Sequence, residues 1–145
     1  FDVVWGDGVL HHLIPVLDLV LGKAARWVRP GGRAVFSEPV CLSATLRALR
    51  RHVPVHTDAT PDERPLQRAE MEIIRRHLPD VRMRWFNLLG RLNRFVLATP
   101  LNYERSSLPR RLLANALGMA DWALLSLPAV RELGSTVALA GTFAR

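Results

Sequence analysis

The chain has little cysteine and little lysine, and the scarcity of cysteine excludes two kinds of site. Cys41 is the only cysteine in 145 residues. A lone cysteine excludes an internal disulfide and a zinc site built from several cysteines. This cysteine usage is typical of a reducing compartment, so we expect a cytoplasmic protein.

The chain also lacks an uninterrupted apolar run of the roughly twenty residues that a membrane-spanning helix requires. Its most apolar stretch, residues 112–130, contains Asn115, Asp121 and Pro128. These interruptions predict a buried or interfacial helix instead of a transmembrane segment.

Positive charge is in excess, and arginine carries nearly all of it. The formal net charge is +7, and Lys23 is the only lysine. A strongly basic chain can indicate a nucleic-acid partner, but such proteins concentrate the charge in patches or runs. Here the arginines are spread along the chain with no run of five or more, so we expect no nucleic-acid partner. With 49% hydrophobic residues, the composition is that of a globular protein and excludes a disordered one.

The first forty residues predict one βαβ unit of a parallel sheet. Residues 1–5 are a short apolar run typical of a strand covered on both faces. Apolar residues then recur at steps of three and four through residues 15–28, which predicts a helix. The Arg-Pro-Gly-Gly sequence at 29–32 ends it, and residues 33–37 form the next strand.

The rest of the chain predicts alternating helices and strands. We expect helices at 42–52 and 66–77 around a polar loop at 54–65, a strand at 81–89, an ambiguous segment at 90–100, a long and largely buried helix at 109–131, and a strand at 136–143. The order β-α-β-α-α-β-α-β fits a mixed α/β sheet that ends in an antiparallel pair.

Four segments together resemble the class I S-adenosylmethionine-dependent methyltransferases, particularly their small-molecule branch. They are the strand at 1–5, Val-Leu-His-His-Leu at 9–13, the helix ending at 29–33, and Phe-Ser-Glu-Pro at 36–39. The resemblance implies a partial Rossmann-like methyltransferase sheet, with strands resembling the fourth to seventh, flanking helices and an antiparallel terminal strand pair. In that family the seventh strand inserts antiparallel between the fifth and sixth.

The resemblance also implies a function and a domain organisation. It implies methyl transfer from S-adenosylmethionine to a small-molecule acceptor, with residues 1–145 as the C-terminal part of one methyltransferase domain and residues 40–80 as a helical cover on the acceptor side. The family's glycine-rich cofactor loop and acidic ribose ligand have no counterpart in this chain. We therefore expect the chain by itself to be inactive.

By this resemblance, Gly6, Asp7 and Gly8 line the methionine side of the cofactor. A tight turn after a strand accounts for both glycines equally well. Glu38 is a candidate on the substrate side, and the alternative is a strand-end carboxylate that accepts hydrogen bonds from nearby backbone N–H groups.

A catalytic base is required only if the acceptor must lose a proton. The candidates for catalysis are His11, His12 and Tyr103, and those on the substrate side are His52, His56 and also His77. His11 and His12 are adjacent and cannot share a helix face as a metal pair, so we expect no metal site.

Two other functions remain open from the sequence. One is a non-catalytic interaction module, or a decayed fragment, with an apolar patch covered by another chain. The other is a nicotinamide-dependent oxidoreductase fragment in which Gly6 and Gly8 begin a dinucleotide loop and Glu38 holds the ribose. His11 stands where that loop expects its third glycine. The expected partner is a small-molecule acceptor, and a homo-oligomer is left open.

Overall fold

The computed structural model describes residues 1–50, 63–97 and 102–144. Within these residues the strands are β1 (Val3–Asp7), β2 (Arg33–Pro39), β3 (Arg82–Phe86) and β4 (Thr136–Thr142). The α-helices are α1 (Leu17–Trp27), α2 (Ala44–Arg50), α3 (Arg68–His77), α4 (Asn93–Val96) and α5 (Leu108–Leu124). Short 3₁₀ turns at Leu10–His12, Ile14–Val16, Gly90–Leu92 and Arg131–Leu133 connect them.

The four strands form one mixed sheet in the order β1-β2-β4-β3. β1 pairs parallel with β2, and β2 pairs antiparallel with β4, with Phe36 opposite Leu139. The predicted α/β class and the antiparallel strand near the end of the chain are therefore confirmed.

The core lies along alternate residues of the two central strands. Ala34 and Phe36 of β2 and Val137 and Leu139 of β4 are buried, as the two-residue period of a strand requires. α1 follows the 3₁₀ turn that contains Pro15, and its buried residues are Leu17, Leu21 and Ala24. The apolar period that predicted this helix identified a different face, because Leu19 and Trp27 are exposed.

The chain divides into two compact units. The first unit is Phe1–Arg84 together with Thr136–Arg145, and the second is Trp85–Ser135. The first contains most of the sheet with α1 to α3, and the second contains α4 and α5.

The N-terminus of α3 is fixed by side chains on both sides of it. Gln67 and Glu70 form a capping box, in which the Gln67 backbone N–H donates to Glu70 Oε2 at 2.8 Å. Arg64 Nη2 also donates to Glu70 Oε1 at 2.8 Å. The hydrogen bond from Arg64 is the main cause that holds the pKa of Glu70 below its ordinary value of 4.5.

This pair predicts a specific pH dependence of stability. Because the folded pKa of Glu70 is depressed, its stabilising contribution is complete above pH 4.5 and is lost as the pH falls through the folded value. We expect Glu70→Gln and Arg64→Gln each to flatten the acid-side fall in the free energy of unfolding, measured by urea denaturation at several pH values. If the free energy of unfolding falls as steeply with acid in both variants as in the parent, the Arg64–Glu70 pair does not cause that fall.

Strand β1 is less covered than the sequence predicted. Val3 is 50% and Trp5 is 70% exposed, so the strand is not covered on both faces in this chain. β1 is an edge strand of the sheet, paired with β2. An apolar run by itself does not show which of its two faces has a neighbour.

The long helix near the end of the chain was also predicted incorrectly. It spans Leu108–Leu124 instead of 109–131, and only Ala114 and Asp121 within it are buried. It ends before Pro128, which disfavours helical backbone at the residue preceding it. The strand predicted at 81–89 likewise ends at Phe86, because Asn87 adopts a left-handed backbone with φ of 63°.

Candidate functional site

The carboxyl ends of the parallel strands β1 and β2 form a tight turn at residues 6–8. Gly8 N donates to Ser37 O at 2.8 Å, which holds the turn against the end of β2. Gly8 has φ of +61°, a conformation that residues with a side chain rarely adopt. Asp7 is exposed. Open α/β sheets bind ligands at this edge, so the turn is a candidate site.

Glu38, near the end of β2, is fully buried beneath the segment that follows this turn. Its Oε1 accepts from Val9 N at 2.9 Å and from Leu10 N at 2.8 Å. Its Oε2 accepts from His11 N at 3.3 Å. One carboxylate thus satisfies three consecutive backbone donors and fixes the segment that carries both histidines.

Glu38 also orients the ring of His11. His11 Nδ1 lies 3.0 Å from Glu38 Oε2, and the His11 side chain is mostly buried. His12 Nδ1 lies 3.1 Å from Glu63 Oε1, and the two imidazole rings are 4.0 Å apart. The structure therefore places two of the three predicted catalytic candidates side by side, and one of them, His11, contacts Glu38.

The remaining predicted residues lie elsewhere. Tyr103 is in the second unit, where its hydroxyl donates to Asn115 Oδ1 at 2.9 Å. His77, at the end of α3, lies 2.9 Å from Asp18 Oδ1 through Nε2. His52 and His56 fall outside the described residues. Within residues 1–50, 63–97 and 102–144, no three side chains of the metal-binding types lie close enough to hold an ion.

In the second unit, Asp121 of α5 has a role that parallels that of Glu38. Its buried carboxylate accepts from Leu88 N at 3.1 Å, Leu89 N at 2.6 Å and Gly90 N at 2.8 Å. The carboxylate therefore attaches α5 to the turn that follows β3.

The second unit also contains an open cleft of about 650 Å³, a volume typical of small-molecule sites. It is lined by residues that include Asn87, Gly90, Arg91, Tyr103, Asn115 and Ser135. Arg91 Nε donates to Ser135 Oγ at 2.8 Å, and Ser135 Oγ donates to Asn87 O at 2.6 Å. These bonds fix one arginine at the cleft wall.

The polar groups of this cleft suit an anionic ligand that also carries a donor. Arg91 and Arg94 supply positive charge. Asn93 Oδ1 is buried and accepts no hydrogen bond within the described chain, so it is available to a ligand N–H or O–H.

Sequence reasoning missed Asp121 and the Glu63 partner of His12. A signal for Asp121 was present, because a single carboxylate within a long apolar helix indicates a specific buried partner. No comparable signal marks Glu63, since it lies about fifty residues from His12 in a polar segment.

No family model matches this chain, and no curated protein matches it. Among solved structures, it is similar to Haemonchus contortus phospholethanolamine N-methyltransferase 2, which was solved in complex with phosphomonomethylethanolamine and S-adenosylhomocysteine. The identity is 15% and the TM-score 0.45, over 100% of this chain and 34% of that one. This chain thus spans about a third of the length of that structure.

Proposed function

We propose that this chain is the C-terminal part of an S-adenosylmethionine-dependent methyltransferase domain that acts on a small molecule. The observation that carries the proposal is the strand order β1-β2-β4-β3, with β4 antiparallel to β2. It is the arrangement that the resemblance in residues 1–39 implies for strands four to seven. We therefore identify β1 with the fourth strand and β2 with the fifth.

The residues at the end of β1 fit the methionine portion of the cofactor. Asp7 is exposed and has no partner among the described residues, so its carboxylate is available to accept from an ammonium group. Gly8 gives a ligand close access to the backbone. The cofactor supplies a methyl group bonded to a sulfonium, and the protein's task is alignment and exclusion of water.

His11 is the residue in the best position to remove a proton from an acceptor. Donation from Nδ1 to Glu38 Oε2 leaves Nε2 of the neutral ring as a proton acceptor. A carboxylate that orients an imidazole in this way is the usual support of a general base. Glu38 is thus a positioning residue that acts through His11, since its own carboxylate is buried.

We expect S-adenosylhomocysteine to bind and Asp7→Asn to weaken that binding at least tenfold, because an ammonium loses a charged acceptor. The measurement is isothermal titration calorimetry on the protein expressed from the whole reading frame that contains this chain. Asp7→Asn leaves the fold unchanged, since the side chain is exposed and has no described partner.

Glu104→Gln is the matched control, because Glu104 is also exposed but lies in the second unit. It should bind S-adenosylhomocysteine as tightly as the parent protein. Absence of binding by the parent contradicts the proposed function. Equal losses in both variants contradict the role of Asp7.

A second candidate is a non-catalytic interaction module, and the exposed apolar side chains of β1 favour it. Phe1, Val3 and Trp5 are all exposed on or beside this edge strand. A module of this kind predicts no affinity for S-adenosylhomocysteine, so the same titration separates the two functions.

A further inference from the structure

Helix α5 exposes large apolar side chains and buries a charged one, the reverse of the usual amphipathic helix of a globular domain. Its buried residues are Ala114 and the charged Asp121. Leu112, Met119 and Trp122 are instead 59%, 74% and 64% exposed. A helix ordinarily buries its apolar stripe and exposes its charges, so the outward stripe of α5 indicates a binding surface.

Four of the exposed apolar residues of α5 share one face of the helix, with the exposed Asn115 among them, whereas the exposed Leu113 and Leu124 lie on another face. Leu108, Leu112, Met119 and Trp122 follow one another at spacings of four, seven and three residues, which places them on one face of the helix. We call these four residues the α5 apolar face. The 17 residues of the helix extend over roughly 25 Å. Phe95, just after the start of α4, is exposed as well, and the Arg94 guanidinium lies 4.7 Å from its ring centre.

The second unit carries more positive than negative charge. Residues 85–135 contain six arginines and no lysine, against Glu104, Asp121 and Glu132, and the carboxylate of Asp121 is buried. Arg110 and Arg111 lie in the first turn of α5, which has no acidic residue. The helix dipole disfavours cations at this end, so their placement costs stability unless an anion lies opposite.

We propose that α5 is an interfacial helix that lies on an anionic lipid bilayer, with the α5 apolar face inserted at the headgroup level and the flanking Arg111 on a lipid phosphate. Leucine, methionine and tryptophan on one face with arginine beside them are the composition of such helices. A second copy of this chain is a poorer occupant, because it would bring the same positive charge to the interface. No helix within the described residues could cross a bilayer, and a helix that lies flat does not need to.

The first test measures partitioning of the protein onto vesicles of equal parts phosphatidylcholine and phosphatidylglycerol, by flotation. We expect Met119→Glu to weaken partitioning at least tenfold, because it removes buried apolar area and adds repulsion from the lipid. The matched control is Leu19→Glu, since Leu19 of α1 is similarly exposed at 57%. It should change partitioning by less than about threefold.

The second test separates charge from apolar contact. Arg111, three residues after Leu108, flanks the α5 apolar face. Arg111→Gln should weaken partitioning about fivefold, as expected for one cation near an anionic surface, whereas Arg26→Gln of α1 should change it less than about twofold. Vesicles of phosphatidylcholine alone should bind the parent more weakly. Brominated lipid should quench the tryptophan fluorescence of the parent, and Trp122→Phe should lose most of that quenching while still binding.

Failure of the parent protein to bind the mixed vesicles overturns the proposal, as does equal binding by Met119→Glu and Leu19→Glu. A dimer that forms without lipid and that Met119→Glu dissociates would assign the face to a second copy and would also overturn it. Circular dichroism of each variant verifies that the fold is retained, as the exposure of Leu19, Met119 and Trp122 predicts for the substitutions at these positions.

Discussion

Replacing Glu38 with alanine should destabilise the first unit by roughly 3–5 kcal/mol, the largest effect we expect from any single side chain. The substitution leaves the N–H groups of Val9, Leu10 and His11 without their acceptor, and the bond to Leu10 is fully buried. It also creates a cavity, because Glu38 is fully buried. Urea denaturation followed by circular dichroism measures the loss.

Two further variants show whether the carboxylate itself is responsible. Glu38→Gln retains one oxygen acceptor and should lose about 2 kcal/mol, less than alanine does. Glu72→Ala removes an exposed carboxylate whose partner is Arg75, and it should cost less than about 1 kcal/mol. If all three variants unfold at the same urea concentration, the network around Glu38 does not stabilise the fold.

Replacing Asp121 with alanine should cost about 3 kcal/mol in the second unit, because three backbone donors lose their acceptor there as well. The effect should be local. We therefore expect hydrogen exchange, measured by NMR, to accelerate at the amides of Leu88, Leu89 and Gly90 before it does so in β2 or β4.

Asp121→Asn and Glu104→Ala complete this comparison. Asparagine keeps one acceptor and should give an intermediate rate of exchange at these three amides. Glu104 is exposed, and its replacement should leave the amides protected. Unchanged protection in Asp121→Ala would show that the turn is held by other contacts.

The parts of the fold that the sequence predicts are those that local chemistry determines. Proline and the two glycines at 30–32 end α1 by their own backbone preferences. The three-to-four-residue period predicts the helix but not its buried side, since Leu19 and Trp27 are exposed. The antiparallel β4 was expected from the family resemblance, whereas the order of the main elements was predicted correctly from local signals of this kind. The orientation of α5 was not, because a period shows which residues share a face and not whether that face is covered.

The candidate site divides in the same way. The turn at 6–8 is visible in the sequence because two glycines directly after an apolar strand favour a tight turn. The hydrogen bonds between Glu38 and the segment at 9–11 cannot be predicted from the sequence, because they depend on the register in which β1 and β2 pair. Glu38 fixes the segment at 9–11, and Asp121 fixes the turn at 88–90. Each carboxylate is distant in sequence from the backbone groups it binds, so the hydrophobic period does not reveal either contact.

The position of β4 has a consequence for synthesis on the ribosome. Phe36 of β2 pairs with Leu139 of β4, which is synthesised about a hundred residues later. One edge of β2 therefore has no partner strand until the ribosome has translated those codons. Once the second unit has folded, β4 has a shorter distance to cover before it pairs. The reason is that Ser135 N donates to Phe86 O at 2.9 Å, which holds the two ends of the unit together. Folding of residues 85–135 therefore brings the start of β4 to the end of β3. A nascent chain in which that unit folds slowly would expose an open strand to other nascent chains, and co-translational aggregation would then depend on a segment outside the sheet.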